Sequence, residues 1–149
     1  MDKWDYRFIK LAKEISFWSK DPSTKVGAIA VINRRIIATG YNGFPKDIDD
    51  SDKRLNDREI KLSYMIHAEK NLIYNATSYG ISLNKSTVYI YGLPCCSECF
   101  KGLIQVGVKR VVMPNIENHG NRWKDGCNFA KINMEYVGIK IDEYNMNEL

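Results

Sequence analysis

The chain predicts a single α/β domain. Three observations carry that prediction: a helical apolar period over residues 4–18, two short apolar runs flanking Asn33-Arg34, and a strand–helix–strand succession over residues 87–113. The last spacing is that of a βαβ unit, in which the strands run parallel and the crossover is right-handed. At 149 residues, with 44% apolar and 27% charged residues, the chain has the size and composition of one core. The domain is therefore taken as residues 1–149.

Trp4, Phe8, Leu11, Ile15 and Trp18 recur at intervals of four, three, four and three. That spacing lays one apolar stripe along a helix, which Asp21-Pro22-Ser23 ends. Residues 26–32 and 35–39 read as an antiparallel hairpin turning at Asn33-Arg34. Its second strand runs into Gly40-Tyr41-Asn42-Gly43-Phe44-Pro45. Two glycines around Asn42 allow a sharp turn that presents an amide able to donate and accept. Asn-Gly is also ordinary turn chemistry, and both readings stay open at this point.

Residues 46–66 are polar and rich in Asp47, Asp49, Asp50, Asp52, Arg54, Arg58 and Lys61. A loop of this length is expected to serve as a lid or a subunit contact, with a helical turn or two over 57–65. Residues 67–76 predict a helix with Ala68, Leu72 and Ala76 on one stripe. Residues 87–91 read as a strand. A helix then runs from the cysteines through Val106, with Leu103 on its apolar side and Gly107 closing it. Residues 110–113 give the next strand. Residues 115–124 read as a loop carrying His119 and Trp123, 127–137 as a helix, and 137–141 as a last strand. The polar tail, 142–149, is expected to fray or lie at an interface.

The chemistry concentrates in His67-Ala68-Glu69 and Cys96-Ser97-Glu98-Cys99. One imidazole and two thiolates offer three zinc ligands and leave a fourth position for water, the arrangement of a catalytic site. Glu69, beside a ligand and not itself needed as one, is placed to move protons. A histidine and a glutamate two apart do not share a helical face, so they belong at a helix entry. If Ser97 begins a helix, Cys96 and Cys99 share a face near its positive end, where thiolates are favoured. This H-x-E and C-x-x-C pattern is the signature of zinc nucleobase deaminases. Pro94 stands one residue earlier than that signature expects, and Cys95 takes its place. Cys95 is four residues from Cys99 and is a competing ligand, though C-x-x-C spacing favours Cys96. His119 and Cys127 are the candidates for a fourth ligand if the site is closed and structural.

Basic residues number 22 and acidic residues 18, a net charge of +4 with the signs interspersed. That suits an anionic small molecule, and no basic run or helix favours nucleic acid. No apolar run approaches the ~20 residues of a membrane span, and the N-terminus lacks a signal-peptide core. Three of four cysteines fall between positions 95 and 99, which points to metal binding in a reducing, cytoplasmic compartment.

Residues 4–140 resemble the cytidine deaminase superfamily, and within it the deoxycytidylate deaminases. The resemblance rests on Ser19-Lys20-Asp21-Pro22-Ser23-Thr24-Lys25-Val26-Gly27-Ala28, Gly40-Tyr41-Asn42-Gly43, His67-Ala68-Glu69, Cys96-x-x-Cys99 and Ile104-Gln105-Val106-Gly107-Val108. It implies a three-layer α/β/α fold with a five-stranded mixed sheet and hydrolytic deamination of dCMP to dUMP. By position it implies one Zn2+ per chain on His67, Cys96 and Cys99, with Glu69 as proton shuttle. It further implies substrate contacts from Asn42 and the Ala68 backbone N–H, and a homohexamer. It implies regulation by dCTP and dTTP near Gly40, Tyr41, Asn42 and Gly43, where Mg2+ would accompany a triphosphate. Lys20, Lys25 and Arg58 are candidates for the 5′-phosphate. Other branches, acting on dCTP, nucleosides or tRNA adenosine, share the zinc motif, as would a non-catalytic nucleotide-binding scaffold.

Overall fold

The alternation of side chains along the central strands divides the molecule into layers. In the computed structural model, which describes residues 1–149 apart from the side chain of Asn118, β1 (Gly27–Ile32) directs Ala28 and Ala30 to one core and Ile29 and Val31 to another. β3 (Thr87–Tyr91) does the same with Val88 and Ile90 against Tyr89, and β4 (Arg110–Pro114) with Val111 and Met113 against Val112. A strand buried on both faces needs helices on both faces. α1 (Lys3–Ser16) covers one side with Phe8, Ile9, Ala12 and Ile15. α4 (Ala68–Ser78), α5 (Cys99–Gln105) and α6 (Asn121–Tyr136) cover the other with Leu72, Leu103 and Met134. The α/β/α layering is thus the expected one.

With β2 (Arg35–Tyr41) and β5 (Lys140–Tyr144), the sheet has five strands in the order β2-β1-β3-β4-β5. β1 is antiparallel to both β2 and β3, whereas β3, β4 and β5 are parallel, so the sheet is mixed. Asn33 and Arg34 both take positive φ, the backbone of a tight hairpin turn.

Several sequence expectations shift. Trp18 is not on the buried stripe but 63% exposed, because α1 ends at Ser16. The guanidiniums of Arg7 and Arg34 lie 4.6 and 4.8 Å from the centre of the Trp4 ring. Gly40 and Gly43 have no positive φ, and Gly40 and Tyr41 remain in β2. Gly40 is required for space: a Cβ there would collide with the backbone of Ala68 and Leu72 in α4. Segment 46–66 is ordered as two short helices, α2 (Asp52–Asn56) and α3 (Arg58–Tyr64). It is closed at its base by reciprocal backbone bonds between Gly43 and Ile66, 3.1 and 2.8 Å. α6 starts six residues before Cys127, so Trp123 is helical. The last strand runs to Tyr144, whose buried hydroxyl donates to the Ile90 carbonyl at 2.8 Å, and Met146 and Leu149 pack beside α1. The tail is therefore anchored rather than frayed.

One buried charge network ties α1 to the parallel strands. Arg110 donates to both oxygens of Asp5, at 2.8 and 3.1 Å, and to Asp142 at 2.6 Å, while the Tyr89 hydroxyl donates to Asp5 at 2.8 Å. Burial alone would raise the Asp5 pKa, but these donors, Arg110 foremost, hold it at about 2. An unfolded aspartate takes up its proton near pH 4. The contribution is therefore complete above about pH 4 and is lost as pH falls through 2. Arg110→Ala strands the carboxylate and is expected to cost about 3–5 kcal/mol at pH 7. The deficit should shrink on acidification. Urea melts at pH 7 and pH 3 check this; equal deficits would place the effect elsewhere.

Candidate active site

Two helix entries face one another at the carboxyl end of β3. His67 is the N-cap of α4, with extended backbone and no side-chain capping bond, so its ring is free for another partner. Ala68 and Glu69 are the first two helical residues, and Glu69 is only 3% exposed. Gly40 permits this placement, because α4 lies backbone to backbone on β2 where a side chain would stand. On the other side, Gly92 takes φ +109° next to the Lys25 carbonyl, and the chain then leads through Leu93-Pro94 to the cysteines. Cys99 is the first residue of α5, whereas Cys96 lies outside the helix. The pair thus does not share a regular helical face. Instead, the Cys99 backbone N–H donates to the Cys96 sulfur at 3.4 Å.

The His67 Nδ1 lies 3.3 Å from the Sγ of Cys96 and 3.3 Å from that of Cys99. Among the described residues, this is the group of three or more His, Cys, Asp or Glu able to hold a metal, its donor atoms all within 4.8 Å of one another. A tetrahedral ion with N and S bonds of about 2.0–2.3 Å needs donors about 3.6 Å apart. The two nitrogen–sulfur separations, 3.3 Å each, are within a few tenths of an ångström of that. One nitrogen and two sulfurs are also the borderline-soft set that zinc prefers. The residues fit the ion.

The electrostatics point the same way. The Cys99 side chain, with help from His67 and the backbone N–H groups of Cys99 and Glu98, lowers the Cys96 pKa to about 3 despite burial. The same bond to an anionic neighbour, together with burial, raises Cys99. A divalent cation held by the three donors would favour the thiolate form of both sulfurs. Bonding to Cys96 raises His67 against the effect of burial. Burial raises Glu69, bringing a carboxyl group toward the range in which it can both take and give a proton.

The remaining candidates stand apart from this cluster. Cys95 is fully buried in the core, and burial raises its pKa well above the usual thiol value. Cys127 contacts the Pro94 carbonyl at 3.8 Å and is raised by burial to about 11. His119 has a buried Nε2 with no hydrogen-bond partner among the described residues, and burial lowers its pKa.

A cavity of about 260 Å3 opens onto Glu69, His67 and Cys96. Ala68 lines it, at a helix start whose first N–H groups have no intrahelical partner. Asn42 also lines it, but its amide is engaged: Oδ1 accepts from Val26 N–H at 2.8 Å and Nδ2 donates to the Thr24 carbonyl at 2.9 Å. Asn42 therefore fastens the 21–26 loop to the end of β2. Neither Lys20 nor Lys25 lines the cavity: Lys20 pairs with Asp50, and Lys25 donates to the Ser19 carbonyl at 2.6 Å. Arg58 does line it. Lys61, Arg122 and Trp123 join it without having been singled out as site residues. Lys61 was signalled by its helical spacing of three from Arg58; Arg122 lay in a segment read as loop.

Zinc content tests the assignment. Cys95→Ala is expected to purify with one zinc per chain, whereas Cys96→Ala and His67→Ala should lose most of it by mass spectrometry of the metal. Loss from all three alike would remove the distinction between Cys95 and Cys96.

Comparison with known proteins agrees with the geometry. Residues 2–114 match the cytidine and deoxycytidylate deaminase zinc-binding region. The deaminase of the luxG 3′ region of Aliivibrio fischeri is 32% identical over 142 residues, covering 95% of this chain and 93% of that protein. Deoxycytidylate deaminase of Mus musculus is 31% identical over 160 residues, covering 97% and 88%. The dCMP deaminase of cyanophage S-TIM5, solved in complex with dCMP and dUMP, superposes with a TM-score of 0.76 at 25% identity, covering 97% of this chain and 99% of that one. The three facing donors, the buried carboxyl group beside them and the match over residues 2–114 together place this chain in the cytidine and deoxycytidylate deaminase zinc-binding family.

Proposed function

We propose that the chain catalyses hydrolytic deamination of dCMP to dUMP. The observation that carries this is a buried carboxyl group, Glu69, next to a three-donor metal cluster in a cavity that also receives cationic side chains. The cyanophage relative, solved with both dCMP and dUMP, supports the choice of substrate.

His67, Cys96 and Cys99 would hold zinc, which when bound would supply Lewis-acid activation of water near neutral pH. Glu69 accepts the proton released as water oxygen bonds to C4 of the pyrimidine, and delivers it to N3. It then takes the remaining proton from the C4 hydroxyl and gives it to the amino group, so that the C4–N bond breaks, C4=O forms and ammonia leaves. One water enters and one ammonia leaves, with a single carboxylate serving both transfers. The Ala68 N–H at the start of α4 is assigned to the pyrimidine carbonyl. Asn42 holds the 21–26 loop that shapes the cavity wall.

The family resemblance also supports a cytoplasmic homohexamer, consistent with large exposed side chains such as Tyr79 at 83% and Tyr136 at 89%. The same resemblance assigns dCTP and dTTP, with Mg2+ accompanying the triphosphate, to an effector site at Gly40-Tyr41-Asn42-Gly43. There the Tyr41 ring lies outside the cavity, edge-on to Trp18 at 6.1 Å. No helix among the described residues is long and apolar enough to cross a membrane.

Glu69→Gln preserves the size of the side chain and removes the proton carrier. It is expected to keep zinc while turnover falls by about 10²–10⁴-fold; ammonia release near the normal rate would refute the role. Comparing dCMP, dCTP, deoxycytidine and cytidine in the same assay identifies the substrate. For the effectors, added dCTP should raise and dTTP lower the rate at subsaturating dCMP, and rates indifferent to both would remove the regulatory reading.

A further inference from the structure

We propose that Asp21 and Lys61 are positioning residues for the reaction: their buried ion pair holds α3 in place as one wall of the cavity. This rests on the deaminase reading of that cavity and adds the pair that keeps it in shape. The Lys61 Nζ lies 3.1 Å from the Asp21 carboxylate, their side chains 12% and 6% exposed. The two residues stand 40 positions apart, one ahead of β1 and the other in the segment between β2 and α4.

None of the seven residues of α3 is buried, so no side chain anchors this helix in either core. Yet Leu62 and the following Met65 line the cavity beside Glu69. The apolar ties lie at the edges of the helix. Leu55 is buried in α2, Tyr64 meets the ring of Phe44 at 5.5 Å, and the Gly43–Ile66 bridge closes the base of the segment. A second ion pair, Lys20 with Asp50, reaches the same segment but is exposed, and such pairs contribute little. Lys61 therefore makes the buried tie from the middle of α3. Its anchor is itself fixed. The Asp21 oxygen facing Lys61 accepts from the Ser23 and Thr24 N–H groups at 2.8 and 3.2 Å, and the other faces the Asn42 amide nitrogen at 3.5 Å. The Ser23 hydroxyl gives Lys61 a second contact at 3.3 Å. A buried ion pair returns little net stability over apolar residues of similar volume, whereas breaking it strands a charge. What this pair fixes is the placement of α3 against the 21–26 loop, and both line the cavity.

The test is amide hydrogen exchange of the zinc-loaded protein without nucleotide, with parallel kinetics on dCMP. Lys61→Met keeps the length of the side chain and removes its charge. It is expected to speed exchange over residues 58–66 about tenfold while α4 and β3 exchange as before. Asp21→Asn, whose amide oxygen can still accept from Ser23 and Thr24, should do the same, and it carries the test if a thermal melt shows Lys61→Met to be unfolded. The double variant should be no looser than either single one, since the two side chains act as a unit. Lys61→Arg, which keeps the charge, should restore most of the protection. Both single variants should raise the KM for dCMP about tenfold and lower kcat less. Asp50→Asn, which breaks only the exposed pair, should change neither exchange nor KM. The proposal is overturned if exchange over 58–66 stays as in the unaltered protein, because a raised KM alone would mean that Lys61 merely touches the nucleotide. It is overturned equally if the whole chain exchanges faster, if Asp50→Asn loosens the segment as much, or if α3 loosens with KM unchanged. Faster exchange confined to 58–66 without any release of ammonia from dCMP would instead sink the enzymatic reading and leave the hold on α3 standing.

Discussion

The site depends on how closely α4 can approach β2. At Gly40 the two backbones occupy space that any side chain would claim, with Ala68 and Leu72 directly opposite. That contact fixes the start of α4 relative to the sheet, and with it the direction of the His67 ring and the Glu69 carboxyl group. Since β1 lies between β2 and β3, the same packing sets the distance from His67 to the cysteines that follow β3. A shift of the helix by even an ångström would change both nitrogen–sulfur separations together.

Within this frame, polarity is graded along the cavity. At the inner end, one sulfur is stabilised as an anion by a helix start and a neighbouring thiol, and a buried carboxyl group holds its proton more tightly than usual. Toward the loop of residues 21–26, Asp21 neutralises Lys61 while fastening Ser23 and Thr24. Arg58 and Arg122 add positive charge. A substrate with a neutral heterocycle and an anionic tail matches that gradient in one orientation, which gives positioning as well as affinity.

The segment between β2 and α4 carries more of the architecture than its polar composition suggests. Asp57 caps α3 by accepting from Ile60 N–H, Leu55 of α2 is buried, and the Gly43–Ile66 bridge ties the two ends together. The ring of Phe44 lies 5.5 Å from that of Tyr64. Long insertions add little closure entropy, and this one recovers order through local caps and a few apolar contacts. Its second helix thereby delivers two cations to a site otherwise built on the sheet and its covering helices.

The sequence by itself determined the features written in short-range pattern. The helical period around Phe8 and Ile15, the hairpin at Asn33-Arg34, the parallel β3–α5–β4 succession and the His67, Glu69, Cys96, Cys99 constellation were all legible, because each depends on spacing within a few residues or on donor chemistry that few residue types supply. Only the tertiary structure decided which polar groups were already taken. Asn42 looked free until Thr24 and Val26 came to meet its amide, and Lys25 looked available until its ammonium reached Ser19. Arg122 and Trp123 entered the cavity through a helix whose first turn has no apolar period of its own. Such facts turn on contacts between residues distant along the chain, and local periodicity carries no information about them.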